Sequence, residues 1–190
     1  MFTPTRITTI LLFLLSLGFL VSALPTVASD AKELALRHDS NDLLTLVGGL
    51  QADVNVCVNA IAELSVATDI FAQVDILVGK INTCATAILA LGANIDVDAS
   101  VQADIAAKVG AIISAIVKLC INLNVKLGIV VVLGLFAKID ACLQLLLTNL
   151  GVCVSGIISV IAKVVADIGL DAFANVHLDF CAQVLGFVGA

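Results

Sequence analysis

Apolar residues recur along this chain every three or four positions, which is the spacing of one face of an α-helix. In the first such segment the polar residues Gln51, Asn55, Asn59 and Glu63 come every fourth position, so they share one face. This pattern predicts a first helix over about residues 42–66. Since both prolines of the chain come before residue 26, nothing interrupts helix formation later, and we predict an all-α body.

Turn and capping residues divide the remainder into five more helices. Thr68 and Asp69 are suited to cap a second helix that ends near residue 91. The acidic stretch 96–100 favours the start of a third helix by capping and by its interaction with the helix dipole. The third to sixth helices are expected over about residues 100–123, 129–147, 152–168 and 172–185.

Two apolar segments allow more than one interpretation. Residues 141–162 carry no charge and are numerous enough to span a bilayer. The polar break at residues 148–151 instead predicts two buried helices joined by a tight turn. The β-branched run 129–132 would suit a strand taken alone, but no second strand is predicted, so we interpret it as buried helix.

The N-terminus has the form of a secretory signal. Arg6 provides the positive start, residues 10–21 form the apolar stretch, and Ala23 is a small residue at the cleavage position. A signal-anchor helix is the alternative. We predict a signal peptide over residues 1–23, a flexible lead or pro-segment over 24–40, and a single helical domain over 41–190.

All six cysteines follow this signal, and an even number in an oxidising compartment predicts three disulfides. Similar spacing within two helix hairpins would pair Cys57 with Cys84 and Cys153 with Cys181, although other pairings remain open. That scheme leaves Cys120 with Cys142. The predicted fold is therefore an all-α, disulfide-stapled bundle of about five to six helices. A metal site is disfavoured because no two cysteines have the Cys-x2-Cys spacing.

Composition excludes more classes of function than any motif does. The mean hydropathy of +1.19 exceeds what the interior of a domain this size requires, so we expect apolar side chains on the surface. Without Arg6 the chain has 15 acidic and 8 basic residues, a net charge of −7. This charge argues against nucleic acid and against electrostatic docking on anionic lipid.

We find no catalytic constellation in the sequence. Cys153, between Gly151 and Ser155, is the best candidate nucleophile, with His177 as the candidate base. The glycine that would end a nucleophile elbow is missing, and a cysteine in a disulfide has no free thiolate. We therefore expect no enzyme activity, no cofactor and no metal.

Residues 80–84 (Lys-Ile-Asn-Thr-Cys) and 139–143 (Ile-Asp-Ala-Cys-Leu), within a helical body rich in Ala, Val and Leu, carry a family resemblance. The chain resembles secreted, cysteine-containing proteins of mushroom-forming fungi. Some of these are similar to a hyphal-matrix and cell-wall protein that aids aerial growth and attachment to hydrophobic surfaces. The chain is not a hydrophobin, because that pattern has eight cysteines with two adjacent pairs. No functional residue is carried over.

Three functions remain in view from the sequence. The first is a non-catalytic, secreted structural or interaction protein of the extracellular matrix or cell wall that acts at apolar–aqueous boundaries. Its partners would be apolar surfaces, cell-wall material or lipid, with self-association as a further option and no nucleic acid. The second is an extracellular lipid or sterol carrier with an aliphatic cavity. The third is a membrane-inserted helical protein, which Lys118, Lys126, Lys138 and Lys163 disfavour because they interrupt the apolar half.

Overall fold

The computed structural model describes residues 27–187, with side chains from residue 39 onwards except at position 170. The predicted signal peptide, residues 1–23, lies outside the described residues, and so does the start of the predicted lead. The chain divides into two compact units, Met1–Ala35 and Leu36–Ala190. The second unit contains the helical core.

Helices account for all the regular structure of residues 27–187, where no strand occurs, so the predicted all-α class is confirmed. Seven α-helices are joined by short connections, and one 3-10 turn, Ala166–Ile168, follows the fifth of them. The helices are α1 (Val27–Glu63), α2 (Ala67–Ala90), α3 (Ala99–Leu127), α4 (Ile129–Cys153), α5 (Ile157–Val165), α6 (Leu170–Asn175) and α7 (Asp179–Val184).

The start of α1 and the length of α4 differ from the prediction. Helix α1 begins at Val27 rather than near residue 42, so residues 27–40 of the predicted lead are helical. Helix α4 continues through the predicted turn at residues 148–151. The side-chain amide of Asn149 points into the core and donates a 2.8 Å hydrogen bond to the carbonyl of Ala85, so this polar residue does not need a turn.

The C-terminal third is more broken than its apolar pattern predicts. The predicted fifth helix becomes the short α5 and a 3-10 turn, and the predicted sixth helix becomes α6 and α7. His177 lies between these two short helices with a positive φ of 53°, a conformation that no helix accommodates. The chain therefore reverses at the point where the sequence predicts a continuous helix.

A continuous apolar core joins the helices of the second unit. Helix α2 packs mainly on α4, α3 on α5, and α7 on α4. Phe136 of α4 and Phe173 of α6 are its largest fully buried side chains. Helices α3 and α5 approach closely at Gly110 of α3, where an added Cβ would lie 2.5 Å from a methyl carbon of Val164. Only glycine permits α5 to approach α3 this closely.

Candidate functional site

The predicted site residues, the six cysteines, are all buried, and in the described chain each of them is a free thiol. They lie on five different helices, with two of them on α4. Stapling by disulfides is therefore absent from this structure, and the positions of the thiols decide which bridges the fold permits. The cysteines are Cys57, Cys84, Cys120, Cys142, Cys153 and Cys181.

The contacts between α1 and α2 exclude the predicted bridge between Cys57 and Cys84. The ammonium of Lys80 lies 2.8 Å from a carboxylate oxygen of Asp53, and the Cys84 thiol lies 3.7 Å from the carbonyl oxygen of Leu46. At about 1.5 Å per residue, Cys57 lies roughly 16 Å along α1 from Leu46. The Cα atoms of a disulfide lie within about 7 Å of each other. The predicted pairing is wrong for this fold because the two cysteines face different levels of the hairpin.

The predicted bridge between Cys153 and Cys181 is excluded in the same way. The backbone N–H of Cys181 donates a 2.8 Å hydrogen bond to the carboxylate of Asp140. Asp140 lies roughly 20 Å along α4 from Cys153, at about 1.5 Å per residue. The Cys153 thiol instead donates to the carbonyl of Ile88 at 3.1 Å. The two predicted pairs of cysteines have similar spacing along the sequence, but the fold brings neither pair together.

Three thiols form a cluster in the core around Cys142. Burial raises the pKa of Cys120 to about 12, and the Cys142 thiol and the Asp140 carboxylate raise it further. Burial likewise raises the pKa of Cys181 to about 12, with Asp140 and Cys142 adding to it. The Cys142 thiol thus interacts electrostatically with both other thiols, and burial raises its own pKa to about 12. We call Cys120, Cys142 and Cys181 the thiol cluster.

Asp140 is the polar centre beside this cluster, and the sequence analysis did not single it out. Its side chain is buried with 3% of the residue exposed. Its two carboxylate oxygens accept hydrogen bonds from the backbone N–H groups of Phe180 at 2.9 Å and Cys181 at 2.8 Å. Asp140 therefore satisfies the first N–H groups of α7, which lack intrahelical partners. Burial raises the pKa of Asp140, while these two hydrogen bonds act to lower it.

The fold does not arrange these groups as a nucleophile or a metal centre. Cys153 is fully buried against α2 with its pKa raised by burial, which keeps it a thiol, whereas His177 is exposed between α6 and α7. Within the described residues, no three His, Cys, Asp or Glu side chains are grouped to hold a metal ion. The thiols of this protein are core residues.

Two of the cavities in the described structure are grooves that open to solvent between helices. A groove of about 510 Å³ lies between α1 and α2, and the ion pair of Asp53 with Lys80 lines it. A second groove of about 540 Å³ lies between α2 and α4 and includes Val78 and Leu145. A carrier needs a cavity that shields most of its ligand from water, and these two grooves do not.

One end of the bundle exposes several aliphatic side chains. There the α1–α2 connection and the α3–α4 connection lie side by side, because the Lys126 ammonium donates hydrogen bonds to the carbonyls of Ala62, at 3.1 Å, and Leu64. Val125 is 85% exposed and Val130 is 87% exposed. We call this end the apolar tip, formed by the exposed side chains of Val66, Val125, Ile129, Val130, Val131 and Leu133.

The apolar tip corrects the sequence interpretation of residues 129–132. The run is helical, as predicted, but only Val132 is buried while the three residues before it are exposed. Helix α4 begins at Ile129, directly after Gly128, whose φ of 83° turns the chain out of α3. The first turn of α4 therefore projects beyond the core, although its composition is that of a core segment.

The opposite end of the bundle is acidic and closed by backbone hydrogen bonds. The N–H groups of Asn94 and Ile95, between α2 and α3, donate to the carbonyls of Val152 and Cys153 at 3.2 and 2.7 Å. Exposed carboxylates surround this connection. We call it the acidic end, and its exposed acidic residues are Asp96, Asp98 and Asp104.

Two segments of the described chain are long and apolar enough to cross a membrane, Asp39–Glu63 and Ile129–Cys153. The second of these is the central helix of the core, and 44% of its most apolar window is buried within the protein. Core helices of soluble proteins have the same length and composition, so this finding alone does not separate the two classes.

Comparison with known proteins assigns no family. No protein-family model matches the chain, and no curated protein matches it significantly. The tip, the acidic end and the thiol cluster are the features of the fold from which a function can be inferred.

Proposed function

We propose that this chain is a non-catalytic structural or interaction protein that acts at apolar–aqueous boundaries outside the cell. The observation that carries the proposal is the apolar tip, where Val125 and Val130 are almost fully exposed beside a well-packed core. Exposed aliphatic clusters on a folded protein mark surfaces that meet another apolar phase. The secretory signal predicted over residues 1–23, the lack of a catalytic constellation in the sequence and the resemblance to hyphal-matrix proteins support the same function.

The test is adsorption of the purified secreted chain at an air–water interface, measured as surface pressure, and on a hydrophobic plate. We expect it to adsorb faster and to a higher surface pressure than a globular control of equal size, because the tip needs no unfolding to contact the apolar phase. A chain that adsorbs no better than the control would refute the proposal. Circular dichroism of the adsorbed protein checks that the helices persist.

The two alternative functions have their own readouts. A lipid or sterol carrier would release bound lipid into an organic extract, which mass spectrometry detects. The open grooves between α1 and α2 and between α2 and α4 make this function the weaker one. A membrane-inserted protein would stay in the membrane pellet after carbonate extraction. Release into the supernatant is the result that the buried face of α4 favours.

The disulfide scheme is revised within the same proposal. Because the Cys142 thiol interacts with those of both Cys120 and Cys181, we expect an oxidising compartment to favour one bridge from Cys142 to either of them, by exchange with a disulfide-bonded oxidant that leaves as two thiols. Each bridge removes two hydrogens, so the oxidised chain should be about 2 Da lighter than the reduced chain rather than about 6 Da lighter. Peptide mapping without reduction should join the Cys142 peptide to one of these partners. A bridge between Cys57 and Cys84 would contradict the register of α1 and α2.

A further inference from the structure

We propose that the exposed side of α4 is a self-association surface, on which a second copy of this chain docks with its own α4 antiparallel. In the described chain, six of the fourteen exposed large apolar side chains belong to this one helix. The surface starts at the apolar tip and follows the whole helix, so the inference goes beyond the proposed function. We call it the α4 face, which consists of Gly134, Ala137, Ala141, Leu145 and Thr148, with Val130 and Val152 at its ends.

The α4 face is a straight and uncharged line. Its members repeat every 11 residues, from Val130 to Ala141 and from Ala141 to Val152. Since three turns of an α-helix contain about 11 residues, such a repeat stays on one side of the helix. The charge beside the line is neutralised, because the ammonium of Lys138 lies 2.7 Å from a carboxylate oxygen of Asp75 on α2. The face therefore presents no net charge over a length of about 33 Å.

The α4 face is symmetric about Ala141. Ala137 and Leu145 lie four residues on either side of it, and Gly134 and Thr148 lie seven residues on either side. An antiparallel helix reverses this order, so a two-fold axis at Ala141 sets Leu145 and Thr148 of one copy against Ala137 and Gly134 of the other. A contact between identical copies needs such self-complementarity, and an unrelated partner does not. The symmetry is the reason that we assign the face to a second copy.

Leu145 and the residues around Ala137 form a knob and its hole. Leu145 is 41% exposed on the outside of α4. The exposed positions 134, 137, 138 and 141 have the spacing that surrounds one side chain of a facing helix, and three of them are glycine or alanine. The two-fold axis inserts Leu145 of each copy into this hole of the other.

Gly134 gives independent support for the second copy. A glycine within a helix is less favourable than an alanine. No atom lies within 4 Å of a Cβ added at Gly134, so packing within the protomer does not account for the missing side chain. The second copy does account for it, because a methyl group there would occupy the space that Leu145 enters.

The flanks of the α4 face fit the same arrangement. Lys138 pairs with α2 and Asp140 accepts a hydrogen bond from Phe180 of α7, and these two residues lie on opposite sides of the face. The axis brings like flanks together, so Phe180, which is 53% exposed, comes to lie near its counterpart. With these flanks the contact would bury on the order of 1,000 Å² over both copies, which is at the lower end for specific interfaces. We therefore expect a weak dimer that separates at an apolar boundary.

Sedimentation velocity at increasing protein concentration, with a reductant present, tests the dimer. Leu145→Ala removes the knob and Ala141→Leu fills the hole, so each should raise the dissociation constant by about tenfold or more, since symmetry doubles the loss. Ile121→Ala is the matched control, because Ile121 is also 41% exposed but lines a cavity between α3 and α5. It should dissociate like the parent protein. Circular dichroism should show intact helices in all three variants, since each of these residues is exposed.

Crosslinking tests the direction of packing. Ala141→Cys on the axis should form a disulfide between two copies by exchange with oxidised glutathione, which leaves as two reduced molecules. Val130→Cys should not, because antiparallel packing holds the two copies of that position about 33 Å apart, whereas the Cα atoms of a disulfide lie within about 7 Å. The native cysteines are buried, so the introduced thiol reacts first. Electrophoresis without reduction measures both products.

Each outcome bears on a different statement. A single monomeric species at every concentration would overturn the inference, and so would a tighter dimer in Ala141→Leu, because association would then depend on apolar character alone. Crosslinking of Val130→Cys as well would overturn the antiparallel arrangement. The Leu145→Ala protein keeps the whole apolar tip, so it should adsorb at the air–water interface at least as fast as the parent. A chain that adsorbs but never dimerises would leave the proposed function standing, and a dimer that does not adsorb would refute that function alone.

Discussion

The two ends of the bundle are closed in opposite ways. At the acidic end, N–H groups of one connection meet carbonyl groups of another, Ile95 fills the core behind them, and carboxylates lie outside. At the apolar tip, a single ammonium, that of Lys126, holds the two connections together, and valines lie outside. In the described chain the two most exposed large apolar side chains, Val130 and Val125, therefore lie at the tip, whereas backbone hydrogen bonds close the acidic end.

Residues that stabilise the fold and residues that are free to contact another phase therefore lie at different ends of the bundle. Side chains at the acidic end are anchored and contribute to folding. The valines of the tip contact few neighbours, so they contribute little to folding and remain free to contact another phase. Substitutions at the acidic end should therefore lower stability with little effect on adsorption. Substitutions at the tip should lower adsorption with little effect on stability.

The largest effect is expected for Ile95→Ala at the acidic end. Ile95 is 8% exposed, and its truncation leaves a cavity behind the connection, so the free energy of unfolding should fall by about 2–4 kcal/mol. The matched change at the tip is Val130→Ala, which should stay within about 0.5 kcal/mol of the parent protein. Urea denaturation followed by circular dichroism measures both. Equal losses would mean that the tip is part of the folded core.

Two glycine-to-alanine substitutions, one at each end, should change the stability of the protein in opposite directions. Gly156 adopts a φ of 78° at the acidic end, and Gly156→Ala should cost about 1–2 kcal/mol because an L-residue is strained there. Gly134 lies within α4 near the tip, with no atom within 4 Å of an added Cβ. Gly134→Ala should stabilise the protein by up to about 1 kcal/mol. Thermal unfolding of both variants tests this. A stabilised Gly156→Ala protein would contradict the left-handed turn.

The lysine that closes the tip should have a smaller effect. Lys126→Met keeps the aliphatic part of the side chain but removes the donor to Ala62 and Leu64, and we expect a loss of about 1 kcal/mol. Lys118→Met is the matched control, and it should change stability by less than about 0.5 kcal/mol. Hydrogen exchange at the α1–α2 connection should become faster in the Lys126 variant alone. Unchanged exchange would show that other contacts hold the two connections together.

The smallest effect is a pH dependence that belongs to neither end. Burial raises the pKa of Asp140 above the usual carboxyl value of 3.8, so the folded state keeps its proton to a higher pH than the unfolded state does. The free energy of unfolding should therefore fall as the pH rises through this window and then level off. Asp140→Asn should remove that slope, whereas Asp98→Asn at the acidic end should keep it. A slope that persists in Asp140→Asn would assign it to another group.

The sequence predicted the helices better than it predicted their exposure. Periodicity gave the all-α class, since a repeat of three and four positions depends only on local geometry, and α2 ends within about one residue of the prediction. Its start was predicted wrongly, because the helix begins at Ala67, before the expected caps Thr68 and Asp69. The sequence pattern placed a turn at Asn149 because a polar residue in an apolar run usually indicates one. The acceptor that satisfies Asn149 in the core, the carbonyl of Ala85, comes from a helix distant in sequence.

The cysteine pairing and the tip could not be derived from local patterns. The register of α1 against α2 depends on Lys80 meeting Asp53, and the spacing of Cys57 and Cys84 carries no information about it. The run that begins at Ile129 has the composition of buried helix. Only the sharp turn at Gly128 moves it outside the core. In each case the outcome depends on how helices are placed in three dimensions, which a local sequence pattern does not contain.

The length of α3 has a consequence for any surface that this protein covers. Its 29 residues separate the acidic end from the apolar tip by about 40 Å. Molecules anchored through their tips would hold their carboxylates in water, at that distance from the surface. A waxy surface coated in this way would become wettable and negatively charged. Neighbouring molecules would repel one another through their outer ends, and that repulsion would limit how densely the coat can pack.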